Sequence, residues 1–254
     1  MVMTTPPTTG LVGPAPRGRI VALDMARALA LLAMAVFHFT FDLEMFGLLP
    51  AGTMMQPFWR WFAYLTAGSF LFLVGVSLVL AHPDRVRWRG FWRRFTMIAA
   101  AALAITAVTY VAMPDAFIFF GILHCIAVAS LLGLALRHLP PVALIVLGMV
   151  VIWLPQTLRL SLLDAPWFWW TGLQAVGVQS VDYLPLFPWL GPVIFGIAIG
   201  QIVTRTGLWA RLSRWQPPHA VLVLAWPGRH SLAVYLIHQP VLISVIWLFT
   251  GVRP

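Results

Sequence analysis

The chain has 254 residues, of which 61% are hydrophobic and only 9% are charged. A soluble domain of this length cannot cover its surface with so few charges, so the composition excludes a soluble globular protein and indicates a polytopic membrane protein. The formal net charge is +9 and all sixteen basic residues are arginines, but they flank apolar stretches, which favours a role in membrane topology over binding to nucleic acid.

Residues 1–16 are rich in Pro, Thr and Gly, and we expect a disordered tail before a single transmembrane domain over residues 17–254. The first apolar segment carries internal charges and lacks a clear small-residue cleavage site. We therefore interpret it as a retained span and not as a cleaved signal peptide. Cys125 is the only cysteine, which excludes an intramolecular disulfide and a thiolate metal cluster.

Seven apolar segments, each of about 20 residues, predict an all-α fold, a polytopic transmembrane helical bundle in a lipid bilayer. They cover residues 20–43, 57–81, 91–112, 115–136, 140–157, 185–204 and 229–250. The segment 208–226 is ambiguous. Its first part is typical of a basic amphipathic surface helix, and its second part is too short to span a membrane.

The arginines are concentrated in alternate connections between the predicted spans. These connections precede span one, join spans two and three, follow span four, and join spans six and seven. The opposite loops carry few arginines and most of the acidic residues, namely Glu44, Asp115, Asp164 and Asp182. Because cytoplasmic loops are enriched in arginine and lysine, this pattern predicts a cytoplasmic N-terminus and an external C-terminus.

The first span contains four ionisable side chains, those of Asp24, Arg27, His38 and Asp42. At about 100° per residue, Arg27 and His38 differ in direction by about 20°, and both aspartates lie within about 60° of the same line. Ionisable groups at membrane depth are costly and usually face the interior of a bundle or an aqueous cavity. We therefore expect this stripe to be a functional face.

The spacing of the four side chains indicates two pairs. Asp42 follows His38 by four residues, so its carboxylate can orient and stabilise an imidazole that acts as a general base or nucleophile. Asp24 precedes Arg27 by three residues, which allows either a charge-neutralising pair or a guanidinium that faces an anionic ligand. The structural alternative is that both pairs are salt bridges that hold the bundle together.

Two later spans add polar side chains at membrane depth. His124 lies in the fourth span, and Ser231, Tyr235 and His238 share one face of the seventh. Without a functional role, these side chains would form hydrogen-bonded packing contacts between helices. His38, His124 and His238 could converge, but their spacing predicts no tetrahedral or carboxylate-rich ligand set, so we expect no metal.

The long loop at residues 158–184 is rich in tryptophan, with the run Pro-Trp-Phe-Trp-Trp at residues 166–170. Tryptophans at this position usually anchor a protein at the membrane interface. The alternative is an aromatic floor beneath a sugar acceptor, since aromatic faces stack on the apolar faces of sugar rings.

The first span, at residues 19–43, resembles the opening of integral-membrane acyltransferases, whose first helix carries an arginine and a histidine separated by ten residues. Arg27 and His38 have this spacing. The wider pattern is similar to bacterial members of the heparan-alpha-glucosaminide N-acetyltransferase catalytic-domain family, with matching blocks at residues 120–132, 182–201 and 228–242. The chain departs from many relatives at Ala28, where they have glycine, and residues 44–56 lack a histidine that the lysosomal enzyme carries.

The resemblance implies a transmembrane N- or O-acetyltransferase of the bacterial inner membrane that modifies the cell envelope. Acetyl-CoA would be the donor from the cytoplasm, and a sugar or glycan would be the acceptor at the outer face. Arg27 with Asp24 would bind acetyl-CoA, and His38 with Asp42 would carry out catalysis. The same cavity would be lined by His124, Ser231, Tyr235 and His238.

The residues by themselves also allow two other functions. A proton-coupled transporter or exporter of a small molecule would use the same Asp and His side chains as a proton relay, although the inverted repeats typical of such proteins are not evident. A structural membrane protein would use the polar side chains only for packing. Whether the chain forms a homo-oligomer is left open by the sequence.

Overall fold

The computed structural model describes residues 19–251, so the tail predicted at residues 1–16 lies outside the described residues. Within the described range the chain is helical and contains no β-strand, apart from an isolated bridge between Leu160 and Gln174. The predicted all-α class and the polytopic helical bundle are confirmed.

Seven apolar helices correspond to the seven predicted spans. Five of the helices in residues 19–251 are long and apolar enough to cross a membrane, namely α1 (Val21–Met45), α2 (Pro57–Ala81), α3 (Trp88–Ala112), α6 (Leu186–Arg205) and α10 (Ser231–Thr250). Two are shorter, α4 (Ile122–Leu136) and α5 (Pro141–Thr157). Between α6 and α10 lie three short helices, α7 (Leu208–Arg214), α8 (His219–Leu224) and α9 (Trp226–Arg229).

The fourth span is predicted to begin at residue 115, but α4 begins only at Ile122. The residues before α4 hydrogen-bond instead to a loop that is distant in sequence. The Val181 N–H donates to the Ala116 carbonyl (2.9 Å), and the Leu184 N–H donates to the Phe120 carbonyl (3.1 Å). Hydropathy does not reveal this difference, because an apolar segment can satisfy its backbone groups through another loop as well as through a helix.

Helix α6 lies at the centre of the bundle and packs against α2, α4 and α5. Val193 and Ile197 of α6 are fully buried there. Helices α2 and α6 approach closely at two glycines, because a Cβ atom on Gly75 would collide with the Val193 carbonyl and one on Gly196 with the Phe72 carbonyl. Small residues of this kind let membrane helices pack backbone to backbone.

Helix α1 packs beside this centre, against α2, α9 and α10. The helices α7, α8 and α9 contain 7, 6 and 4 residues, so none of them is long enough to cross a membrane. They bring Gly228 against the backbone of α1 at Asp24 and Ala28. This contact sets the start of α10 beside the stripe of ionisable side chains on α1.

We expect Gly228→Ala to destabilise the protein. The added Cβ atom would collide with the Asp24 carbonyl and would lie 2.9 Å from the Ala28 nitrogen, and backbone atoms cannot move aside as a side chain can. Overpacking of this kind typically costs about 1–3 kcal/mol, so the thermal midpoint of the purified protein in detergent should fall. A matched control is Gly177→Ala, where no atom lies within 4 Å of the added Cβ. Equal midpoints for the two variants would contradict the expectation.

Candidate active site

The beginning of α1 carries a buried carboxylate that is surrounded by arginines. Asp24 is 2% exposed, and its Oδ1 and Oδ2 atoms lie 3.0 Å from Arg27 Nη1 and 2.5 Å from Arg19 Nε. Arg229 approaches from α9, with its Nε 3.8 Å from Asp24 Oδ2. The pair predicted from the spacing of Asp24 and Arg27 is therefore present, and one carboxylate faces three guanidinium groups.

Arg27 also connects α1 to α2. Its Nη2 donates a hydrogen bond of 2.8 Å to Ser77 Oγ, a buried hydroxyl on α2. Both terminal nitrogens of the guanidinium thus have partners within the protein, while the Arg27 side chain remains 25% exposed. The two interactions fix the orientation of the Arg27 side chain, and part of its guanidinium surface stays accessible to a ligand.

His38 lies about 16 Å further along α1, at a rise of about 1.5 Å per residue. Its ring contacts His238 of α10, with centroids 5.0 Å apart and planes inclined by 61°. His238 Nδ1 lies 2.5 Å from the Tyr235 carbonyl, which can only accept, so the neutral ring carries its proton on Nδ1. The buried Nε2 of His238 then has a lone pair without a partner among the described residues.

Asp42 is fully buried one helical turn beyond His38. Its partner is Gln239 of α10, whose Nε2 donates to Asp42 Oδ1 at 2.7 Å. No hydrogen bond or ion pair joins Asp42 to His38 in residues 19–251, and Asp42 Oδ2 is without a hydrogen-bond partner there. The carboxylate thus holds α10 in place through Gln239, and His38 meets His238 instead.

The four side chains of the α1 stripe therefore meet polar side chains of α2, α9 and α10. A family model described as heparan-alpha-glucosaminide N-acetyltransferase, catalytic, matches residues 19–240, which include all of the side chains described above. The chain belongs to this family. Comparison with curated proteins and with solved structures gave no match.

Membership in this family makes the chain a membrane acetyltransferase, and the predicted family is confirmed. The remaining candidate residues of the acetyltransferase occupy different places in the bundle. Tyr235 packs against the central core and its ring lies 5.5 Å from that of His238. Ser231 is the first residue of α10, near Arg229 and the arginine-rich end of α1. On the predicted polar face of α10, His238 therefore meets the stripe on α1, whereas Tyr235 packs against the core.

His124 has a local structural environment in the acetyltransferase. Its Nδ1 accepts a hydrogen bond from the Gly121 N–H (3.2 Å), and its Nε2 lies 3.3 Å from the hydroxyl of Thr106 on α3. Both ring nitrogens are therefore used where α3 meets α4. No ring contact or hydrogen bond links His124 to His38 or His238 in the described part of the chain.

Several side chains of the site carry no recognisable signal in the sequence. Ser77 and Arg229 belong to segments far from α1 in the chain, and only packing brings them to Asp24 and Arg27. Gln239 is an exception. An amide next to His238 inside an apolar span is a polar group at membrane depth, which is itself a sequence signal for a site residue. The described residues contain no group of three or more His, Cys, Asp or Glu side chains that could hold a metal ion.

Asp182, one of the acidic residues of the loop that precedes α6, contacts the start of α4. Its Oδ2 accepts a hydrogen bond of 3.1 Å from the Ile122 N–H at the start of α4. A Cβ atom on Gly121 would collide with this carboxylate, so only glycine leaves room for it.

The loop at residues 158–184 forms an aromatic cluster. Trp169 and Tyr183 both contact the ring of Phe119, with centroid distances of 5.8 and 5.6 Å. The Tyr183 hydroxyl donates to the Trp169 carbonyl (2.6 Å), and Trp169 Nε1 donates to the Asp164 carbonyl (2.8 Å). Trp169 is thus a packed element of the loop, whereas Trp167 is 71% exposed.

We expect Asp182 to make stability depend on pH. Burial raises the pKa of Asp182 from 3.8 to about 6, and the hydrogen bond from Ile122 opposes this only in part. The folded protein therefore holds this proton more tightly than the unfolded chain does. The resulting stabilisation is complete below pH 3.8 and is lost as the pH rises through about 6.

The variant Asp182→Asn keeps a carbonyl acceptor for Ile122 but does not titrate. Thermal midpoints measured from pH 3.5 to 7.5 should decline more steeply for the wild type than for Asp182→Asn across the interval from 3.8 to about 6. Parallel profiles for the two proteins would show that Asp182 has the same pKa in the folded and unfolded states.

Proposed function

We propose that this membrane acetyltransferase transfers an acetyl group from cytoplasmic acetyl-CoA to an amine or hydroxyl of a sugar or glycan at the opposite face of a bacterial inner membrane. The proposal rests on one observation. The stripe on α1 has excess positive charge around Asp24 at one end and the His38–His238 ring pair further along, with His38 about 16 Å from Arg27 along the helix axis. The arginine-rich loops favour a cytoplasmic location for the first end.

The arginines suit an anionic donor. Three guanidinium groups share one carboxylate, so the end of the stripe at Asp24 carries a local net positive charge that attracts phosphate. Arg27 is the member of this group that lies on the stripe itself. In the proposed reaction it steers the phosphate end of acetyl-CoA towards the bundle, while Asp24 holds its guanidinium in position.

His38 suits the chemistry of acyl transfer. In one version its imidazole takes the proton from the acceptor nitrogen or oxygen as that atom attacks the thioester carbonyl, the C–S bond breaks, and the proton passes to the departing thiolate. In the other version the His38 imidazole attacks the thioester carbonyl, the C–S bond breaks and the thiolate of coenzyme A leaves with the imidazole proton. The acceptor then attacks the acetyl-imidazole, the C–N bond to His38 breaks, and the imidazole takes the proton of the acceptor. The hydrogen bond from Gln239 holds the Asp42 carboxylate one helical turn beyond His38. In the proposed reaction the negative charge of this carboxylate stabilises the positive charge that His38 acquires.

The test uses the purified protein in sealed vesicles. Radiolabelled acetyl-CoA is supplied on the side of the arginine-rich loops, and glucosamine is enclosed on the other side. We expect labelled acetyl-glucosamine inside the vesicles and release of coenzyme A outside, measured with a thiol reagent. Acceptor-dependent proton flux without acetylation would contradict the proposal and favour a transporter.

A further inference from the structure

A cavity of about 260 Å³ lies between α2, α3 and α4, at the end of the bundle that carries Arg27. Ser77, which accepts the hydrogen bond from Arg27, lies one helical turn from Val74, and Val74 lines the cavity. The polar and charged wall consists of His82, Arg87, Arg94 and Ser130. The remaining wall is apolar and includes Phe91 and Phe95, whose rings stack at 6.1 Å.

The positive charges of this cavity are uncompensated. Arg94 has an exposed side chain inside the cavity and makes no ion pair or hydrogen bond to another side chain within residues 19–251. Arg87 likewise has no acidic partner in the described range, and no carboxylate lines the cavity. Guanidinium groups gathered in a cleft without counterions create a positive potential that attracts anions.

His82 adds a hydrogen-bond donor to the same wall. Its Nδ1 accepts a hydrogen bond of 3.2 Å from the Arg87 N–H, so the neutral ring carries its proton on Nε2. Burial lowers the pKa of His82, and the nearby charges of Arg137, Arg87 and Arg94 lower it further. The imidazole is therefore a neutral donor among guanidinium groups.

We propose that the cavity between α2, α3 and α4 binds a phosphate group through Arg94 and Arg87, with His82 as a neutral donor. Guanidinium groups recognise phosphate by charge-assisted, often bidentate hydrogen bonds. Arg94 is better placed than Arg27 for this task, because both terminal nitrogens of Arg27 already bind Asp24 and Ser77. The stacked rings of Phe91 and Phe95 offer an apolar surface next to the phosphate.

Two sources can supply this phosphate. One is the nucleotide end of coenzyme A, and this version rests on the proposed function. The other is the headgroup of an anionic phospholipid, which basic pockets between membrane helices commonly bind. Both place the same chemical group against the same arginines, and they differ in whether the ligand comes from water or from the bilayer.

The experiment compares Arg94→Gln with Arg93→Gln. Arg93 is the adjacent arginine on α3, is exposed, and does not line the cavity, so it provides a matched control for loss of one charge. Coenzyme A binding is measured for the protein in phosphatidylcholine nanodiscs, and retention of phosphatidylglycerol is measured by native mass spectrometry. Monodispersity and thermal midpoint are recorded for each variant.

We expect Arg94→Gln to weaken binding of one of the two probes by about ten- to a hundred-fold, the scale of a lost charge-assisted contact, with Arg93→Gln unchanged. Arg94→Lys should restore part of the affinity, which a folding defect would not allow. Loss of coenzyme A binding identifies the nucleotide as the source, and loss of phosphatidylglycerol identifies the lipid.

Unchanged affinity of Arg94→Gln for both probes would overturn the proposal, even if the wild type acetylates glucosamine. In contrast, a wild type that transfers no acetyl group but loses a phosphate ligand in Arg94→Gln would refute the proposed function and leave the phosphate site intact. The two proposals therefore fail through different measurements.

Discussion

His38→Ala is expected to reduce acetyl transfer by about a hundred- to ten-thousand-fold, the usual effect of removing a general acid–base group. The loss should appear in kcat with acetyl-CoA at saturation, because Arg27 lies about 16 Å from His38 along α1 and the arginines around Asp24 are unchanged. The measurement is the initial rate of acetyl transfer by purified protein.

The matched control for this prediction is His138→Ala. His138 is exposed in the connection between α4 and α5 and has no part in the proposed site. We expect its activity to equal that of the wild type. Full activity of a folded His38→Ala protein would exclude His38 from the reaction, whichever of its two proposed roles is considered.

Asp24→Asn is expected to cause the largest loss of stability among single substitutions in the site. The carboxylate is 2% exposed and is the shared partner of Arg19, Arg27 and Arg229. Its neutralisation leaves three guanidinium groups facing one another, and removing one partner from a buried ion pair costs about 3–5 kcal/mol. We expect a lower thermal midpoint and a lower yield of folded protein.

Asp84→Asn serves as the control for Asp24→Asn, because Asp84 is exposed in the connection between α2 and α3. A second variant, Asp24→Asn with Arg229→Gln, removes one of the uncompensated charges and should recover part of the lost stability. Equal thermal midpoints for Asp24→Asn and Asp84→Asn would show that the Asp24 carboxylate does not stabilise the fold by neutralising the three arginines.

The sequence was a good guide to features that belong to one helix. Hydropathy located all seven apolar helices, and the spacing of Asp24 and Arg27 predicted an ion pair that is present at 3.0 Å. It was a poorer guide to the start of α4, where residues 116–120 bond to the loop at residues 180–184. It also paired Asp42 with His38, whereas the structure pairs Asp42 with Gln239.

The sequence by itself determined the membrane class, the positions of the apolar helices, the stripe on α1 and the resemblance that the family model confirmed. Only the tertiary structure decided which side chains meet that stripe, namely Ser77, Arg229, His238 and Gln239. It also decided that Asp182 accepts a hydrogen bond from the Ile122 N–H at the start of α4. The physical reason is that periodicity is a property of one helix. Hydrogen-bond and ion-pair partners depend on the packing of segments that are far apart in the chain, which no local spacing records.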